Sequence, residues 1–81
     1  MTVRVVYIRA LDHASVRCED LSSIDCDDVV EVVGALVGET ERYYHVMCMR
    51  KSFAGEPTEY LVLKVLKAAV LEVRELGEVE L

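Results

Sequence analysis

The chain is poor in the residues that punctuate folds and carry common chemistries. It has one proline, four glycines, no tryptophan and two histidines in 81 residues. So few glycines leave no phosphate-cradling loop, and neither GxGxxG, a P-loop nor GxSxG is present. No apolar run reaches the roughly 18 residues that a membrane-spanning helix requires. The opening MTVRVVYIRALDH is interrupted by Arg4 and Arg9 and has no small-residue cleavage site after it, so it does not read as a signal peptide. Cys18, Cys26 and Cys48 are an odd set without CxxC spacing and describe no secreted disulfide framework. These features together point to a cytoplasmic protein.

Positive charge is also scarce. Nine basic residues face fifteen acidic ones, for a net charge of −6. That balance repels nucleic-acid phosphates at long range, and no dense basic run offsets it. The acids are unevenly spread: Glu19, Asp20, Asp25, Asp27, Asp28 and Glu31 fall in a stretch with no basic residue.

Apolar residues, by contrast, are abundant, at 53% of the chain. Residues 1–81 have room for one domain, and a domain so small buries only about 60–65% of its unfolded surface. The apolar excess therefore calls for an unusually dense core or a face hidden in a partner. A homo-oligomer, with a dimer as its simplest form, is the expected solution.

The organising stretch is Asp28 to Lys51, DVVEVVGALVGETERYYHVMCMRK, where two β-rich runs flank a polar connection. It reads as a long antiparallel hairpin. Its first arm, Val29 to Val37, is apolar on both faces, and Gly34 within it marks a bulge, a bend or a close backbone approach. Its return arm alternates Tyr44, Val46 and Cys48 with Tyr43, His45, Met47 and Met49. Residues 2–10, TVRVVYIRA, form an opening strand. Residues 11–27 show no period and are rich in Asp and Ser, the pattern of a long acidic loop. Gly55 and Pro57 punctuate a loop at 51–58 in which Phe53 is expected to anchor over the core.

Residues 59–76, EYLVLKVLKAAVLEVREL, satisfy two periods. At helical spacing Val62, Val65, Leu66, Ala69, Val70, Val73 and Leu76 share one arc, and Gly77 would cap the C-terminus. The same residues also read as two strands, Tyr60–Val65 and Ala69–Glu75, joined by a corner at Leu66-Lys67-Ala68. Residues 77–81 are left as a tail.

The span from about residue 29 to 76 resembles a set of small uncharacterised bacterial, archaeal and phage proteins. The matching parts are Val33-Gly-Ala-Leu-Val-Gly-Glu-Thr40, the aromatic return Arg42-Tyr-Tyr-His45, the strand Tyr60-Leu-Val-Leu-Lys-Val65, the lysine-containing corner and a last strand ending at Leu76. The resemblance implies a mostly β, five-stranded, SH3-like or Sm-like, partly open barrel and lends no function. Those proteins usually carry proline where this chain has Leu66, so the alternative stays open: an α+β fold with a three-stranded sheet and a C-terminal helix over about 58–76.

No set of residues forms a catalytic, cofactor or metal signature. His13, Cys18 and Cys26 sit beside acids, but no pair has the spacing that puts two zinc donors on one turn. Asp25, Asp27 and Asp28 lack the glycine and glutamate of a calcium loop. His45 and Cys48, three apart in a strand, point to opposite faces. A non-enzymatic interaction module is expected, with Tyr43, Tyr44, His45, Val29, Val33 and Val37 as its contact surface. The other reading is a nucleic-acid-binding barrel that stacks bases on Tyr43, Tyr44 and Tyr60 beside Arg42, Arg50 and Lys51.

Overall fold

The computed structural model describes residues 1–11 and 29–81. The acidic segment and its His13, Cys18 and Cys26 lie outside the described residues. Five strands form one antiparallel sheet: β1 (Thr2–Leu11), β2 (Val29–Glu39), β3 (Tyr43–Lys51), β4 (Glu59–Leu66) and β5 (Val70–Glu80). The order across the sheet is β4-β3-β2-β1-β5, so β4 and β5 are its two edges. The architecture is a small, mostly β, partly open barrel.

The helical alternative for 58–76 is overturned. Two strands occupy that span, joined by a single 3₁₀ turn at Lys67–Ala69. Both periods fitted the sequence, but the backbone hydrogen bonds go to distant strands. The Lys67 N–H donates to the Arg42 carbonyl at 2.7 Å, which seats the corner against the β2–β3 connection. Leu66 and Val70, on either side of the turn, have extended dihedrals. The tail is corrected as well. Residues 77–80 belong to β5 and pair with Thr2–Val5, and Gly77 lies within the strand where a helix cap was expected.

Pairing register assigns the two faces of the sheet. Directly opposed residues share a face, and alternate residues along a strand change face. Val6, Ile8 and Ala10 of β1 therefore share a face with Val32 and, through Leu36, with Val46 and Val65. These six buried residues form the main core, with Leu36, Tyr44 and Val70 packed against it. All five strands contribute, which requires the sheet to curl until the end of β4 meets the start of β5. On the other face Val3, Ala35 and Met47 make a second, smaller cluster.

Gly34 is explained by close approach. A Cβ there would lie 2.5 Å from the Met47 carbonyl oxygen and 2.8 Å from a Val46 methyl. The register of β1 with β2 passes through it without a shift. The β2 irregularity falls at Val37 instead, between Leu36 and Gly38.

Candidate interaction surface

The main core is tied shut by its corner. Lys67 Nζ donates to Glu39 at 2.7 Å, and this hydrogen bond, with the charge behind it, holds the Glu39 carboxyl below the usual carboxylate range. The ammonium also lies 4.9 Å from the Tyr44 ring centroid. Two contacts from one side chain thus join the corner to β2 and β3.

Among the described residues the opposite diagonal of the sheet has no such tie. There the first half of β4 and the far end of β5 leave an open, largely apolar groove of about 460 Å³. Val37, Met47, Tyr60 and Val62 line it, Met1 and Leu81 close one side, and Arg50 brings a charge. Leu81 N–H donates to the Met1 carbonyl at 2.8 Å. The terminal ammonium pairs with Glu80 at 2.7 Å, and its hydrogen bond lowers the Glu80 carboxyl.

The apolar surface outside the core is large. Among the described residues ten apolar ones are buried and sixteen large ones are exposed, so much of their apolar surface is not absorbed within them. Four of the exposed residues are consecutive on β4: Tyr60, Leu61, Val62 and Leu63. A run on one strand places side chains on both faces, and neither face of this edge is covered by the described residues.

Of the surface residues expected from sequence, Val29, Val33 and Val37 are exposed. Val33 shares a face with Tyr7 and Ala35, and Val37 lines the groove. Tyr43, Tyr44 and His45 are only half-exposed. Tyr44 packs on the core. His45 lies opposite Gly38, where a Cβ would come within 3.1 Å of its Nδ1. The β4 run was missed because edge position depends on strand order, which no local pattern reports. Phe53 is exposed in its loop, with Lys51 Nζ 4.5 Å from its ring, and does not anchor the core.

Cations occupy most of the aromatic rings. Lys64 stands 5.6 Å from the Tyr43 centroid and Arg74 4.6 Å from that of Tyr7. Tyr60 is the aromatic side chain without a cation over it among the described residues, and it is the most exposed, at 60%. Among those residues no three His, Cys, Asp or Glu side chains converge as a metal site would require, and no helix is long and apolar enough to cross a membrane. Against known proteins, the chain matches no family model, no curated protein and no solved structure.

Proposed function

We propose that the protein is a non-enzymatic interaction module that works as a homo-oligomer, most simply a dimer. The observation that carries this reading is the uncovered apolar run Tyr60–Leu63 on a sheet edge. Fully burying a Val, Leu or similar side chain is worth about 1.5–3 kcal/mol, so four half-exposed ones forgo roughly 3–6 kcal/mol per chain. Doubled in a symmetric pair, this is about the size of the ~4–15 kcal/mol cost of association. Apolar burial alone therefore gives reversible, concentration-dependent assembly, which hydrogen bonding at the edge would strengthen. A cytoplasmic setting belongs to the same proposal and rests on the odd cysteine count without CxxC spacing.

The nucleic-acid reading draws less support. Tyr43 and Tyr44 are half-buried beneath lysines, so their ring faces are not open stacking platforms.

Sedimentation equilibrium from about 1 to several hundred micromolar tests the proposal. A mass rising with concentration to a plateau at twice the monomer or more is expected. A single monomer mass throughout would contradict it.

A further inference from the structure

The two sheet edges are not equally protected. Edge strands that avoid pairing carry charge or bulges. β5 has both. Its pairing with β1 skips Leu71 and Leu76, so β5 bulges twice, and it bears Glu72, Arg74, Glu75, Glu78 and Glu80. β4 has no bulge and less charge. The single irregularity in its pairing with β3 places the extra residue, Cys48, on β3, while Leu61 and Val62 remain consecutive partners. Over its eight residues β4 is unbulged, with only Glu59 and Lys64 charged.

From this we infer that the protein dimerises by antiparallel pairing of β4 with β4 of a second copy, on a two-fold axis through Val62. The inference rests on the homo-oligomer reading above and specifies its surface. Centring on Val62 sets Leu61 against the partner's Leu63, and Tyr60 against the partner's Lys64, twice each by symmetry. No like charges oppose one another. The exposed Tyr60 ring gains a cation beside it from the partner, which its own chain does not supply. Centring on Leu63 instead would set Leu61 against the partner's Val65 and Glu59 against the partner's Lys67, drawing the Lys67–Ala69 corner into the seam. Pairing on Val62 keeps the exposed residues 60–63 at the centre of the seam with Glu59 opposite the partner's Val65 at its ends, leaves the corner free and joins two five-stranded sheets into one.

Disulfide trapping tests the register. Residues opposed in an antiparallel pair have Cα atoms about 4.5 or 5.5 Å apart, inside the roughly 4.4–6.8 Å span of a disulfide. Val62→Cys is introduced with Cys18, Cys26 and Cys48 changed to Ser, and oxidised glutathione is added. Val73→Cys on β5, with the same 42% exposure, is the control. The expected result is a covalent dimer from Val62→Cys and little or none from Val73→Cys. Val62→Lys sets two ammonium groups on the axis and is expected to raise the dissociation constant at least about tenfold. Its far-UV circular dichroism should be unchanged, since the site is on the surface. If the wild-type chain dimerises but Val62→Cys fails to cross-link or Val62→Lys dimerises as well, the β4 seam is wrong while the oligomer reading stands. A wild-type chain that stays monomeric overturns both.

Discussion

The two diagonals of this sheet are built from similar residues and behave differently. Along one, the end of β4 and the start of β5 curl over Ile8 and Val46, the two fully buried large side chains. Along the other, Tyr60, Val62, Val37 and Leu81 surround an open groove. Valine and leucine dominate both, so hydrophobicity alone does not decide which diagonal closes. The difference is the Lys67–Ala69 corner, whose backbone bonds to Arg42 and whose lysine reaches Glu39 and Tyr44. Because a covalent turn holds β4 and β5 together there, burial follows at little extra entropic cost. On the open side no such turn joins the strands among the described residues, and a second chain is the cover proposed.

Substitutions can break or sharpen this contrast. Ile8→Ala on the closed side is expected to cost about 2–5 kcal/mol in urea unfolding, because the truncated side chain leaves a cavity in the main core. Leu76→Ala, at an exposed β5 bulge, is expected to stay within about 0.5 kcal/mol. Equal losses at the two sites would erase the distinction between the diagonals. Gly34→Ala follows in size. Its new Cβ meets the Met47 backbone, which cannot swing away as a side-chain tip would, so overpacking should cost about 1–3 kcal/mol. A neutral result would mean that β2 and β3 are farther apart than described.

The smallest effect concerns the corner's ion pair. The Glu39 carboxyl titrates lower in the folded chain than in the unfolded one, so its contribution is present above the ordinary carboxylate pKa of about 4.3 and is lost as pH falls through the folded value. Lys67→Met should flatten that acid limb in urea titrations run at successive pH values. An unchanged limb would show that the exposed pair contributes nothing to closing the sheet.

Much of the fold was legible in the residues. β-branched density located the strands at 2–10 and on both sides of Gly38-Glu39-Thr40-Glu41, and the two-sided apolar arm pointed to Val29, Val33 and Val37 as surface. The helix-or-strand question at 59–76 was not decidable locally, because Val62, Val65, Leu66, Ala69 and Val70 fit both periods. A hydrogen bond from Lys67 to Arg42, distant in sequence, settles it. Gly77 read as a helix cap and the residues after it as a tail, because nothing nearby announces that Thr2–Val5 will pair with them. The surface was legible in its existence and not in its location. An excess of apolar residues reports that something is uncovered, but only the order β4-β3-β2-β1-β5 shows that Tyr60–Leu63 lies on an edge.

Residue-resolved amide hydrogen exchange at low and high protein concentration tests the central claim most directly. Exchange at 59–66 is expected to slow as concentration rises, while exchange at 70–80 on the opposite edge does not change. Concentration-independent exchange along β4, or slowing confined to β5, would contradict it.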